Sequence, residues 1–273
     1  MLDTLTKVTG SVAKALDIFY VAHGIKPAAR VLLDKKELLT WLKDNKLWYT
    51  TSEFRVQPVV DPSRGYSDSG KVGDRGFPVL YIAKDQETAL QAKKNEKDYR
   101  ALGRILGYPS CCCEFYAKHA QEAAKQGNDF TLFTCRNSAG IEFFWQNNNC
   151  LRCFDATLLS HFPCSFSCQQ SASIAMRNLS LIKQHDPDLA LQIEGMLHGV
   201  VIYAKGVGVY KIKPQKIERN VVTYRPRDVL ASRKNSFTAL LRMNDKMVIK
   251  EKSKFTVGKV DVEDLDTFAM VFK

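Results

Sequence analysis

All eight cysteines of this 273-residue chain fall between Cys111 and Cys168: Cys111, Cys112, Cys113, Cys135, Cys150, Cys153, Cys164 and Cys168. A chain of this length can bury a core without covalent staples. Its first residues, Met1-Leu-Asp-Thr-Leu-Thr-Lys7, lack the basic and apolar regions of an export signal, so a cytoplasmic location is expected. Clustered cysteines in a reducing compartment point to metal binding or thiol chemistry more than to a disulfide framework.

The surroundings sharpen that reading. Between Asn137 and Met176 only Glu142, Arg152 and Asp155 are charged, while Phe143, Phe144, Trp145, Phe154, Phe162 and Phe166 supply an apolar shell. Thiolates are costly in such a shell unless a metal balances their charge. Cys150-Leu-Arg-Cys153 has the two-residue spacing of zinc and iron–sulfur knuckles. Cys164 and Cys168 would share one face if helical. His161, three residues earlier, is a candidate ligand or proton carrier. Cys111 to Cys113 fall in the first turn of a predicted helix, where free amides favour thiolate over thiol. Cys135 and Cys113 read as small core residues.

Two spacings come close to known motifs and fail. Gly65-Tyr-Ser-Asp-Ser-Gly70-Lys71 resembles a phosphate-binding loop, but Val72 stands where a Ser or Thr must ligate magnesium. Gly73, Gly76 and Pro78 then prevent the helix that such a loop must open, leaving a basic loop with Arg64, Lys71 and Arg75. Cys164 to Ser171 resembles the cluster motif of radical S-adenosylmethionine enzymes, but its third cysteine position holds Ser171.

Periodicity and breakers predict helices over Leu5–His23, from an Asp34–Glu37 capping box through Leu42, and from Asp85 to Gly107 with a break near Asn95. Further helices are expected from Pro109 to Gly127, from Cys164 or Ser167 to Gln184, and from Asp186 toward Tyr203. Phe77–Ala83 reads as a buried strand, and Gln57–Gly76 as loop. After Lys205 the pattern turns to strands: Val207–Lys213, Val221–Arg225, Phe237–Met243, Met247–Lys250 and Phe255–Val260. The expected architecture is α+β. A mostly helical, cysteine-rich body over residues 1–204, with its motif core at about 81–203, precedes a small basic β region over 205–273.

Charge follows the same division. The formal net charge is +11. Lys205 to Lys254 holds fourteen Lys and Arg against four Asp and Glu, so nearly all of the excess lies there. Such a face attracts polyanions, and RNA or single-stranded DNA are the expected partners. The longest stretch free of charge, Ala156–Met176, contains His161, Pro163 and several Ser, so no membrane span is expected.

Gly107-Tyr108-Pro109-Ser110-Cys111-Cys112, with Phe115 behind it, and His161-Phe162-Pro163-Cys164-Ser165-Phe166-Ser167-Cys168 together resemble an uncharacterised prokaryotic family. It is a domain-of-unknown-function family of archaea and bacteria, with paired Gly-Tyr-Pro-x-Cys-Cys and His-x-Pro-Cys-Ser-x-x-Cys motifs. The resemblance spans about Tyr81 to Tyr203. It implies that Cys111, Cys112, His161, Cys164 and Cys168 form one site, and it carries no reaction. Cys113, Cys150, Cys153 and the basic region lie outside it.

Two functional expectations follow. The first is an iron–sulfur enzyme acting on an anionic substrate, with RNA one candidate. Cys111 or Cys112 would join Cys164 and Cys168, with Cys150 or Cys153 completing four thiolates. His161 and Cys112 would be its catalytic residues, and Arg104 and Lys118 would orient the bound anion. The alternative is a zinc-stabilised nucleic-acid-binding module without catalysis, its zinc held by four Cys or by three Cys and His161. Tyr210, Lys211, Lys213, Tyr224, Arg225, Arg227 and Arg242 would then form the binding face, interleaving aromatic and basic groups.

Overall fold

The apolar stretch Phe77–Ala83 lacks the polar alternation of a strand with one wet face, so it should be covered on both sides. The computed structural model, which describes residues 1–58 and 71–273, shows how. Strands β1 (Ala28–Leu32), β2 (Trp48–Gln57), β3 (Lys71–Gly73) and β4 (Phe77–Ala83) form an antiparallel sheet in the order β1-β4-β2-β3. Successive side chains alternate faces. Leu80 and Ile82 meet the helices α1 (Leu2–Thr9), α2 (Val12–Ala22) and α3 (Glu37–Asp44). Val79, Tyr81 and Ala83 meet α4 (Gln86–Lys94) and α5 (Tyr99–Ile105).

Helices α6 (Ser110–Lys125) and α7 (Phe130–Asn137) follow, then a short strand β5 (Glu142–Phe143) and two 3-10 turns, Trp145–Asn147 and Cys150–Phe154. After a loop come α8 (Gln169–His185) and α9 (Pro187–Leu197). The rest of the chain is β6 (Gly199–Ala204), β7 (Gly208–Ile212), β8 (Pro214–Glu218), β9 (Val221–Tyr224), β10 (Leu230–Ala231), α10 (Ser236–Arg242), β11 (Lys246–Glu251), β12 (Lys254–Val257), β13 (Val260–Glu263) and β14 (Thr267–Phe272). These strands make two five-stranded sheets, ordered β10-β7-β6-β14-β5 and β13-β12-β11-β9-β8.

The sheet containing β6 and β14 lies between two cores. Val201, Tyr203, Phe268, Met270 and Phe272 join the main core with α8, α9 and the cysteine loop. Val200, Ile202, Ala204, Ala269 and Val271 pack instead against Val222, Met247, Ile249, Phe255 and Val257 of the other sheet. Every residue of β6 and β14 is buried, as expected of strands covered on both faces.

The α+β class therefore holds, but a mostly helical body does not: β1 to β4 build a sheet of their own, and β5 and β6 belong to another. A division at 204/205 falls between β6 and β7, adjacent strands in one hydrogen-bonded ladder. The final strand β14 also pairs with β6.

Several local expectations change for identifiable reasons. The Leu5–His23 helix is split at Gly10, whose left-handed backbone (φ 68°) closes α1. The Asp34 capping box does not form; α3 has no side-chain cap, and Asp34 instead accepts from Lys14 Nζ at 2.5 Å. Helix α8 begins only after Cys168, and the helix opened by Asp186 ends at Leu197, before β6. Phe237–Met243 is helical rather than extended, because Asn235 and Thr238 form a reciprocal cap ahead of it. The Gln57–Gly76 segment includes the end of β2 and all of β3. The Gly65–Gly70 part of the phosphate-loop-like motif, and Arg64, lie outside the described residues.

Among the described residues no helix is long and apolar enough to cross a membrane.

Candidate metal centre

Gly107, with φ 79°, terminates α5, and Tyr108 N–H returns to the Gly103 carbonyl at 2.9 Å. The chain then reverses through Pro109, extended at φ −59°, ψ 139°, whose carbonyl accepts from Cys112 and Cys113 N–H. Helix α6 thus starts with its cysteines in the first turn. A built side chain at Gly103 would meet Cys113 Sγ at 2.6 Å, so α5 and α6 touch where Cys113 packs. Cys113 donates to the Tyr108 carbonyl and faces α5, away from its two neighbours.

The partner cysteines come from the loop ahead of α8. Cys168 is the residue preceding that helix, with φ −68°, ψ 110°. The loop is held by side chains that sequence reading did not single out. Asn147 Nδ2 donates to the carbonyls of Phe166 (3.0 Å) and Cys168 (2.9 Å), and Asn137 Nδ2 to that of Cys164 (2.7 Å). Thr134 Oγ1 donates to the Pro163 carbonyl at 2.8 Å, and Ser138 Oγ accepts from Phe166 N–H at 2.8 Å. The asparagines Asn147 and Asn148 in an otherwise apolar stretch were the available signal: most buried amides find a partner, and Asn148 Nδ2 likewise donates to the Leu197 carbonyl. Earlier in the loop, Asp155 accepts from Ser11 Oγ and from Val12 and Ala13 N–H, tying the loop to the start of α2.

Four sulfurs converge as a result. Cys111, Cys112, Cys164 and Cys168 each present Sγ within 4.8 Å of the others. Cys111 Sγ lies 3.7 Å from Cys168 Sγ and 3.9 Å from Cys112 Sγ, and Cys112 to Cys168 is 3.8 Å. Cys112 Sγ also accepts from Cys164 N–H at 3.3 Å and lies 3.2 Å from Ser171 Oγ. The N-termini of α6 and α8 both meet this group, and their unpaired amides favour negative sulfur. Contacts from Cys112 and Cys164, helped by Ser171, hold the Cys168 thiol far below its ordinary value. The Cys112 thiol is pushed up, first by its contacts with Cys164 and Cys168 and then by burial. Crowded thiols of this kind retain protons that a cation can replace.

His161 stands behind the sulfurs rather than among them. Its Nε2 is 2.9 Å from Ser171 Oγ, and its ring lies 5.0 Å from that of Tyr108. Burial, with Lys26 nearby, brings its pKa down to about 3, so the imidazole is neutral at pH 7. The gathered ligand set contains four Cys, and a set of three Cys with His161 is not what the fold assembles. His161 and Cys112 are both buried, and the two surface pockets described lie elsewhere. One is on α4, and the other lies between residues 136–141 and the turn at 250–253.

Cys150 and Cys153 are corrected from ligands to core residues. The turn at 150–154 points Cys153 Sγ back at the Cys150 carbonyl (3.6 Å) and sets the Cys150 thiol against Cys135. Burial raises both thiols, Cys153 to about 12, so they stay protonated. Arg104 pairs with Glu114 (3.6 Å) on the solvent side of α5 and α6. Lys118 is exposed about two helical turns along α6 from Cys111.

The proposed nucleic-acid face is also corrected. Tyr210 and Tyr224 are 0% and 1% exposed, inside the core between the two C-terminal sheets, and cannot stack on bases. Lys211 is 5% exposed and donates to the carbonyls of Gly195 (3.0 Å) and His198 (2.6 Å) at the end of α9. Burial lowers its pKa to about 8. Lys213, Arg225, Arg227 and Arg242 are exposed. Strand β13 further offsets the basic run: Asp261 lies 3.9 Å from Lys250, and Glu263 3.0 Å from Lys254.

Comparison of the chain with family models, curated proteins and solved structures finds no match.

Proposed function

We propose that this protein binds a single zinc ion through Cys111, Cys112, Cys164 and Cys168, and that the ion fastens the α6 and α8 N-termini to the loop between residues 155 and 168. The sulfur spacing carries this reading. Zinc–sulfur bonds of ~2.3 Å in tetrahedral geometry place the sulfurs ~3.8 Å apart. The 3.7, 3.8 and 3.9 Å separations among Cys111, Cys112 and Cys168 match one ion, and Cys164 Sγ lies within 4.8 Å of all three. An iron–sulfur cluster binds its cysteines on separate irons or spreads them over two, so its thiolates stand farther apart as a set. Four protein thiolates also close the coordination sphere, as in structural rather than catalytic zinc. The two motifs that resemble the uncharacterised prokaryotic family supply all four ligands, with His161 as a supporting group behind Ser171.

The test is metal content. Protein purified anaerobically should be colourless and carry one zinc per chain by elemental analysis. A brown protein with iron and inorganic sulfide would overturn the reading in favour of a cluster.

A second reading concerns the basic sheet. Lys216 and Lys246 flank Thr223 on adjacent strands, while Lys213, Arg225 and Arg227 are exposed nearby in sequence. With Tyr210 and Tyr224 buried, such a face would bind the phosphates of RNA or single-stranded DNA without stacking on bases. Affinity for a single-stranded oligonucleotide should then fall about tenfold or more between ~50 and ~200 mM salt, because phosphate contacts release counterions. Changing Lys213, Lys216, Arg225 and Arg227 together to Gln should flatten that dependence and leave zinc content unchanged. Absence of salt-sensitive binding by the full chain would remove this reading and leave the metal centre untouched.

A further inference from the structure

The four sulfurs are not equally accessible. Cys112 and Cys168 are buried and Cys164 is half-buried, whereas Cys111 is exposed at the first turn of α6. A thiolate on zinc keeps nucleophilic character, and the sulfur that solvent reaches is the one that a soft electrophile meets. Cys111 also has a second sulfur in position. Cys168 Sγ is 3.7 Å away, on a separate segment of chain at the residue that precedes α8. Cys112 is at 3.9 Å but is the next residue in the same helical turn. A bridge between neighbours there would break the helix that α6 forms.

We propose that Cys111 is an oxidant-sensitive thiolate, and that hydrogen peroxide converts it with Cys168 into a disulfide that expels the metal. The proposal rests on the zinc reading above. In the first step the Cys111 sulfur attacks one peroxide oxygen. The O–O bond breaks, hydroxide leaves, and Cys111 becomes a sulfenic acid. In the second step the Cys168 thiolate attacks that sulfur, the S–O bond breaks, and a second hydroxide leaves. Two thiolates have given up two electrons, and one peroxide has become two hydroxides, which take protons from solvent. The S···S distance closes from 3.7 Å to the ~2.05 Å of a disulfide. Cys112 and Cys164 remain as two ligands, too few to hold zinc.

Release would act beyond the centre. The same loop bonds to the start of α2 through Asp155 and to Lys26 and Asp17 through Ser160. Opening the centre frees the Cys164 thiol while the new bridge keeps Cys168 on α6, so an oxidant signal at one exposed sulfur would change the hold on a loop that reaches the α1–α2 face.

The experiment titrates the zinc-loaded full chain with hydrogen peroxide. Metal release is followed with a chromogenic chelator, and the products are mapped by peptide mass spectrometry. Zinc should leave in step with a Cys111–Cys168 disulfide, and dithiothreitol with added zinc should restore the starting state. Cys111→Ser protein that still holds zinc should release it at least about tenfold more slowly. Iodoacetamide labelling of the unmutated chain gives an answer independent of how that variant folds: Cys111 should be labelled before Cys112, Cys164 and Cys168. Zinc that survives peroxide, a disulfide formed elsewhere, or another sulfur labelled first would overturn the proposal. Protein that purifies without metal would instead overturn the zinc reading and its release step. The labelling order in that sample would still decide whether Cys111 is the reactive thiol.

Discussion

Cys168→Ser is expected to abolish stoichiometric zinc binding and to lower stability by more than about 4 kcal/mol. Zinc contributes roughly 10–16 kcal/mol in small peptides that fold around it. Here the sheets bring cores of their own, so the loss is smaller and concentrated in the loop and the ends of α6 and α8. Serine leaves three sulfurs, too few to close the coordination of the cation, and it removes the sulfur that lies within 4 Å of both Cys111 and Cys112. Cys135→Ser should keep its zinc, because Cys135 lies in the main core with Cys150, outside the ligand group. Elemental analysis and denaturant midpoints measure both quantities. Equal zinc loss from the two variants would show that the sorting of ligands from core cysteines is wrong.

The second large effect lies at the base of the same loop. Lys26 and Asp17 form a buried ion pair, and Ser160 bonds to both. The Lys26 ammonium also stands 5.1 Å over the ring of Tyr108, the residue that leads into Pro109 and the α6 cysteines. Lys26→Met should cost about 3–5 kcal/mol, because a buried carboxylate loses its countercharge. Changing both partners, Lys26→Met with Asp17→Leu, should recover much of that loss, since neither charge then stays buried alone. A double-mutant cycle read from urea midpoints checks this. If the double variant is as unstable as the sum of the singles, the pair is not the source of the effect.

These two sites differ in how far the sequence revealed them. The Pro109–Cys112 and Cys164–Cys168 segments were legible because several reactive side chains occur at short spacing beside a helix start. The Lys26–Asp17 pair was not, because one Lys and one Asp nine residues apart look like ordinary surface charge. Only packing of α2 against the 155–168 loop buries them together. The same blindness affected the basic third. Tyr210, Lys211 and Tyr224 share a charged, strand-like pattern with Lys213 and Arg225, and period-two alternation leaves open which face is inward. A second sheet stacked on the first buries Tyr210 and Tyr224, and the end of α9 covers Lys211 on the opposite face.

The strand at 77–83, the helix stops at Gly107 and Gly127, and a cysteine site drawn from Cys111, Cys112, Cys150, Cys153, Cys164 and Cys168 were legible in the sequence itself. Each rests on local chemistry: a left-handed glycine, an apolar stretch, thiols beside free amides. Tertiary structure decided which of eight cysteines meet. It excluded Cys150 and Cys153 by turning them into the main core, and it placed His161 behind Ser171 instead of among the four sulfurs. It also joined the C-terminal third to the body through β6 and β14, which pair across more than sixty residues of intervening chain. Ligand distance and strand partnership depend on contacts between segments remote in sequence, and no short spacing along the chain encodes them.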